Sequence, residues 1–363
     1  VYKRQLSDNT DEQEDLLAST EEAMTLVNNP TYIPSTLRKS QLTRIDAIND
    51  DIARVQRDID RETNLVETID FILASVESGN TKAAYEARYE LLGKYPGLDS
   101  NDELHEAVLK ITEKERERVQ VAEQPIDPLA DDAVASEANR VVLANRSGQV
   151  AAGAKGHVVY VLGGGSVFGI DATNGDVLWR RFVGLQTAIE PFPLSTQEES
   201  DAIAVDGRTN ELMRLEAKTG KLIWRLPIGE PFVEPVIRDK ALLVSVKSGK
   251  LLVVDPATGK SERQVSIPQG IDVPPGVDRR RPQIYQVGEH DNLYVFSADT
   301  LECQEVYYIG HKPGTVVVPP VMALGYLFVV ENAGPDYALL HILATDEEGL
   351  RLRTAQKSIR VQG

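Results

Sequence analysis

The residues of this chain able to do chemistry are few and widely spaced. The single cysteine, Cys303, excludes an intrachain disulfide and a multi-cysteine zinc site. It follows Glu302 on an expected strand, a setting that disfavours the thiolate. His290, His311 and His341 lie far apart in sequence, beside expected strands, and read as surface or core side chains rather than as a metal set. His311, between Gly310 and Lys312, reads as the most exposed of the three. Gly163-Gly164-Gly165-Ser166 lacks the Lys-Ser/Thr of a phosphate loop and predicts a hairpin turn. The basic run Arg279-Arg280-Arg281 reads as a solvated loop rather than an anion site. No nucleophile elbow and no His-Glu-x-x-His pattern occurs. On these grounds no catalytic, cofactor-binding or metal-ligating residue is assigned, and no cofactor is expected.

The carboxylates that do recur in a fixed pattern have a structural task. Val167-Phe-Gly-Ile-Asp171-Ala-Thr-Asn-Gly175-Asp-Val-Leu-Trp179 returns 45 residues later as Leu212-Met-Arg-Leu-Glu216-Ala-Lys-Thr-Gly220-Lys-Leu-Ile-Trp224. A third copy, Leu251-Leu-Val-Val-Asp255-Pro-Ala-Thr-Gly259, follows after 39 residues. A degenerate fourth, Leu293–Leu301, follows after 42. A fifth runs Tyr326–Val330 and Leu339–Leu343, turning at Asp346–Gly349. Each copy predicts a strand ending at an acid whose carboxylate accepts turn amides, a glycine that closes the turn, and a second strand. A further strand precedes each copy: His157–Leu162, Asp201–Val205, Ala241–Val246, Gln283–Val287 and Tyr326–Val330. Short strands recurring every 40-odd residues are the signature of propeller blades.

The Asp/Glu-x-x-Thr-Gly-x-x-x-Trp signature, in full or with one change at Asp171–Trp179 and Glu216–Trp224, resembles the repeat of PQQ-like (quinoprotein-type) β-propellers over residues 150–345. The resemblance implies that Trp179 and Trp224 dock between neighbouring blades. Copies three and four have Arg263 and Glu305 in that place, which puts docking there in doubt, with Tyr307 and Tyr308 as substitutes. The family includes quinone-dependent alcohol dehydrogenases, which hold PQQ between a tryptophan and a vicinal-cysteine disulfide beside calcium. One cysteine excludes that disulfide here. Five blades are fewer than the roughly six to eight of such propellers, and the ending Arg360-Val-Gln-Gly reads as an outermost strand. The expectation is a partial propeller, truncated at its C-terminus.

The elements upstream are of another kind. Residues 1–135 carry 15 basic and 29 acidic side chains, and the remainder 24 and 27, so the net charge of −17 falls mostly on the first part. An acidic surface argues against nucleic-acid binding. Residues 11–120 read as helical, in a hairpin or bundle. Its clearest helix has Ile45, Ile48, Ile52, Val55 and Ile59, then Val66, Ile69, Leu73 and Val76, on a heptad seam. That seam is either packed on its own neighbours or used for dimerisation or a partner. Gly79, Ala84 and Pro96 fall where a tetratricopeptide-type repeat has glycine, a small residue and proline, although Arg88 and Leu91 depart from that pattern. A proline- and acid-rich linker, 121–140, leads to an all-β region, 141–363. The opening Val1-Tyr-Lys-Arg-Gln5 reads as a sequencing-adapter remnant, so residues 1–10 are expected to be non-native or disordered, with any signal or anchor upstream. No stretch reaches the roughly 18 apolar residues of a membrane helix.

The fold class expected is therefore α+β multidomain, with helices followed by an all-β propeller of about five blades. The resemblance includes bacterial envelope scaffolds, such as the propeller lipoprotein of outer-membrane protein assembly. It implies a non-catalytic scaffold for protein partners in the periplasm or cell envelope. Two alternatives stay open. A quinoprotein dehydrogenase completed by further blades would bind PQQ with Ca²⁺. A ligand-sensing propeller of a signalling protein would be stabilised by a small molecule.

Overall fold

The structure, a computed structural model, describes residues 2–129, 155–346 and 351–362. The chain forms two compact units, Val1–Lys114 and Glu115–Gly363.

The first unit is helical. It contains α1 (Tyr2–Asn28), α2 (Ser35–Ser40), α3 (Leu42–Glu77), α4 (Thr81–Lys94) and most of α5 (Asp102–Arg118), whose last turn belongs to the second unit. Residues 2–10, expected to be non-native or disordered, fall within α1. α2 starts after Pro34 without a side-chain cap. Asn80 caps α4 through Ala83 N (3.3 Å), and Asn101 caps α5 through Leu104 N (2.9 Å). Both α1 and α4 pack on α3. Leu104, Ala107, Val108 and Ile111 of α5 are buried at helical spacing.

The second unit is a succession of antiparallel sheets. The segment read as a linker begins it with β1 (Gln120–Ala122). The first sheet is β2 (Val158–Gly163), β3 (Ser166–Asp171) and β4 (Val177–Phe182). The second is β5 (Phe192–Pro193), β6 (Ala202–Asp206), β7 (Glu211–Leu215) and β8 (Leu222–Pro227). The third is β9 (Val236–Arg238), β10 (Ala241–Val246), β11 (Lys250–Val254) and β12 (Ser261–Ser266), with β1 added outside β12. The fourth is β13 (Gly276–Val277), β14 (Gln283–Val287), β15 (Asn292–Ser297) and β16 (Cys303–Tyr308). The fifth is β17 (Val321–Ala323), β18 (Tyr326–Glu331), β19 (Tyr337–Thr345) and β20 (Leu352–Gln362). The turn expected at Asp346–Gly349 and linker residues 130–140 lie, in whole or in part, outside the described residues.

Adjacent sheets share one apolar core each. Tyr160, Val167 and Trp179 of the first sheet meet Ala204, Met213 and Leu215 of the second. Ile203, Leu212 and Leu226 meet Leu242, Val244 and Leu252. Leu243, Leu251 and Val265 meet Ile284, Tyr294 and Phe296. Tyr285, Val287 and Val295 meet Leu327, Val329 and Leu343. This stacking explains why β6, β10 and β14 are buried along nearly their whole length: both of their faces are covered. Strands β2 and β18 belong to the end sheets and alternate between buried and open positions instead.

The start of the segment read as a linker lies along the outer edges of two sheets. Strand β1 pairs with β12, Ile126 exchanges backbone hydrogen bonds with Ser261 (2.8 and 3.1 Å), and Leu129 N donates to Arg225 O (2.8 Å). Apolar Val121, Ile126 and Leu129 punctuate the prolines there, and backbone pairing satisfies amides that an outer strand would otherwise leave open.

Candidate interaction surfaces and the joints between sheets

The repeat residues build joints. In the first copy Asp171 Oδ1 accepts from Thr173 N (2.7 Å), and Gly175 N donates to Asp171 O (2.8 Å). Asp255 repeats the arrangement with Ala257 N (2.9 Å) and Thr258 Oγ1 (2.7 Å), and these hydrogen bonds hold its carboxyl below the usual carboxylate range. Glu216 receives Gly220 N on its carbonyl (2.9 Å) and Thr219 Oγ1 on its carboxylate. The carboxylates of the repeat are thus committed to turns.

Each tryptophan reaches across to the turn of the next sheet. Trp179 Nε1 donates to Ala217 O (2.7 Å), and Trp224 Nε1 donates to Pro256 O (3.0 Å). Glycine serves two ends there. Gly220 and Gly259 adopt φ of 66° and 77°, and a Cβ on either would collide with the indole of Trp179 or Trp224. The sequence resemblance implied this docking.

The doubt about copies three and four is resolved by different chemistry in the same place. Arg263, opposite Val253 in the ladder, donates from Nη1 to Asp299 O. Glu305, opposite Val295, accepts Leu352 N (2.6 Å) from the fifth sheet. Tyr307 adds a hydrogen bond to Thr354 Oγ1 (2.8 Å). In the fourth copy Leu301 occupies the glycine position at φ 63° and keeps its side chain wholly buried.

Burial raises the carboxyl of Glu305 above the usual carboxylate range, against the opposing pull of Leu352 N–H and the Arg351 and Arg116 charges. The folded state therefore holds this proton more tightly than the unfolded chain does. Stability falls as pH rises from the ordinary Glu range, about 4.3, through the raised folded value. Glu305→Gln keeps an acceptor for Leu352 N without the ionisation. The variant is expected to lose part of the decline in melting temperature between acidic and neutral pH, worth less than about 1 kcal/mol because the side chain is half-exposed. Parallel pH profiles for the two proteins would reject this account.

A second polar cluster was not legible in the sequence. Glu115 is buried at the start of the second unit, and its Oε2 accepts from Gln269 Nε2 (2.9 Å), Asn292 Nδ2 (3.0 Å) and Tyr294 Oη. In sequence it is one acid in Glu113-Lys-Glu-Arg-Glu-Arg, and its partners lie more than 150 residues away.

The remaining sequence candidates are buried, paired or inert, and the histidines gather about Asp291 and Glu331. Burial pushes the Cys303 thiol up to about 12. His311, expected to be exposed, is buried, with Nε2 against Gly288 O (3.0 Å), and burial lowers its pKa. The flanking Gly310 and Lys312 misled because the connection folds back over the fourth sheet: Asp291 N donates to His311 O, and Gly310 N to Asp291 O. His290 pairs with Asp291 (2.9 Å), and His341 lies between Glu331 (3.2 Å) and Ser358 (3.1 Å). Gly164 and Gly165 form the β2–β3 hairpin turn. Arg279, Arg280 and Arg281 line a surface cavity of about 310 Å³ with Leu324 and Thr345, and Arg281 bonds Thr345 Oγ1. Among the described residues no group of three His, Cys, Asp or Glu side chains could hold a metal ion.

The helical seam is more open than a packed coil requires. Of its nine residues only Ile59 is buried; Ile45, Ile48, Ile52, Val55, Ile69, Leu73 and Val76 are half-buried, and Val66 is 38% exposed. Beyond Ile59 the buried stripe moves to Leu65 and Ile72, because α4 packs on that flank of α3. The first half of the seam faces a groove of about 520 Å³ between α1 and α3, lined by Leu16, Leu17, Ile48, Ile52 and Val55, with Gln13, Thr20, Asp51 and Asp58.

Antiparallel sheets stacked face to face, each latched to the turn of the next, define a β-propeller built of PQQ-like repeats. The chain belongs to the family described as outer membrane protein assembly factor BamB, whose profile matches residues 129–341. Among solved structures it is similar to BamB from Moraxella catarrhalis, at 17% identity and a TM-score of 0.43, over 57% of this chain and 58% of that one. It is also similar to Sqt1 of Saccharomyces cerevisiae, at 11% identity and a TM-score of 0.41, over 55% of this chain and 56% of that one. The matches therefore span less than two thirds of either protein. No curated protein matches the sequence.

Proposed function

We propose that this chain is a non-catalytic propeller scaffold that holds protein partners in the periplasm or cell envelope. The observation that carries the reading is the incompletely covered apolar seam of α3, whose first half faces a groove that also holds the exposed Leu16. The envelope setting rests on a family described by outer-membrane protein assembly. The absence of catalysis rests on the commitment of Asp171, Glu216 and Asp255 to turns and on the raised thiol of Cys303. The α3–α4 hairpin, with Gly79 at its turn and Ala84 buried, supports a tetratricopeptide-like or coiled-coil contact element. No helix among the described residues is long and apolar enough to cross a membrane.

Two measurements on the full chain test this. Surface-immobilised protein is expected to retain a purified outer-membrane protein assembly complex saturably. Titration with PQQ and Ca²⁺ is expected to leave cofactor absorbance and melting temperature unchanged. Saturable PQQ binding with a rise in melting temperature would overturn the scaffold in favour of a dehydrogenase.

A further inference from the structure

We infer that the groove between α1 and α3 is a docking site for a basic amphipathic helix of a partner protein. This deepens the scaffold reading above and rests on it. Ile48, Ile52 and Val55 stand at helical steps of four and three, so they present one apolar face about 10 Å long. Leu16 forms part of the opposite wall and is 69% exposed, too large an apolar side chain to leave in water beside three others without a use. The shape is that of a trough between two helices, the arrangement in which a third helix inserts anchors at i, i+3 or i+4, and i+7.

Charge selects the partner. Among the described residues the groove is lined by the carboxylates of Asp51 and Asp58 and by no basic residue. Arg54 and Arg61 pair with those two acids one turn further along α3, in exposed i,i+3 contacts that carry little energy. Over their full lengths α1 and α3 hold 6 basic and 16 acidic side chains, a net charge of −10. A helix with leucine-type anchors and lysine or arginine flanks matches both features, whereas an acidic helix would meet like charge along its whole length. A second copy of this chain would bring the same acidic helices to the groove, which argues against self-association there.

The test uses the full chain and two fluorescein-labelled helical peptides of about five turns, one of leucine and lysine and its leucine–glutamate counterpart. The lysine peptide is expected to bind saturably and the glutamate peptide not at all. Raising the salt from about 0.1 to about 1 M should weaken binding about tenfold or more by screening. Leu16→Ser removes an apolar wall but no charge, and at such an exposed position it leaves folding intact. It should weaken the lysine peptide about tenfold, as should Ile52→Ser. Binding of the lysine peptide to both serine variants as tight as to the unaltered chain would show adhesion to the acidic surface alone and overturn the proposal. So would a dimer of the unliganded chain that Leu16→Ser converts to monomer. If the assembly complex is retained while the lysine peptide fails to bind, the scaffold stands and the groove assignment falls. Loss of both rejects the two together.

Discussion

Trp224→Ala is expected to lower the free energy of unfolding by about 3–5 kcal/mol. The indole is buried in the core shared by the second and third sheets, and its removal leaves a void in that core. It also withdraws the donor from Pro256 O. The partner of this contact is Gly259, so the two positions should be coupled. Gly259→Ala alone meets both a left-handed backbone and the indole. With the indole absent only the backbone cost of about 1–2 kcal/mol remains. The double variant should therefore be more stable than the sum of the single effects by about 1–3 kcal/mol, measured by urea unfolding. Additivity to within about 0.5 kcal/mol would mean that the tryptophan packs within its own sheet and does not latch onto the next.

Glu115→Ala is expected to cost about 3–5 kcal/mol. One oxygen of this carboxylate receives an amide from Gln269, an amide from Asn292 and the hydroxyl of Tyr294, all in the interior. Truncation leaves three donors facing a hole, each a loss of about 1–3 kcal/mol unless water enters. Glu115→Gln keeps the oxygen and the shape but turns one arm into a donor, so it should cost less than alanine. Equal, small effects of both substitutions on the urea midpoint would show that the cluster is hydrated and contributes little.

The sheets were legible because the repeat is local. An acid, a glycine four residues on and a tryptophan four beyond that are all that a hairpin and its latch need, and Asp171, Gly175 and Trp179 announce them within one short span. Spacing alone could not tell that Arg263 and Glu305 do the work of tryptophan, because the function of that position is to reach the next turn and several side chains can reach. Leu301 hides in the same way: a left-handed leucine looks like a lost glycine until its side chain is found in the core. On α3 the seam residues Ile45, Ile48, Ile52 and Val55 are half-buried and Ile59 is buried. Beyond that point α4, a neighbour the seam could not foresee, draws in Leu65 and Ile72 and leaves Val66 outside. Glu115 was illegible for a third reason, since its three partners are distant in sequence and its own neighbours describe a solvated helix.

The joints place an indole, a guanidinium and a carboxylate at equivalent positions, and this gives the array an ordered weakness. Of these side chains the carboxylate of Glu305 is the one whose ionisation folding opposes, because burial raises its pKa. A rise in pH above the ordinary Glu range should therefore loosen the last sheet before the others, and protection of backbone amides from deuterium exchange should fade first at Leu352. The sheets latched by Trp179, Trp224 and Arg263 would still be closed, so a uniform set of side chains would have unfastened all at once where this one releases from a single end.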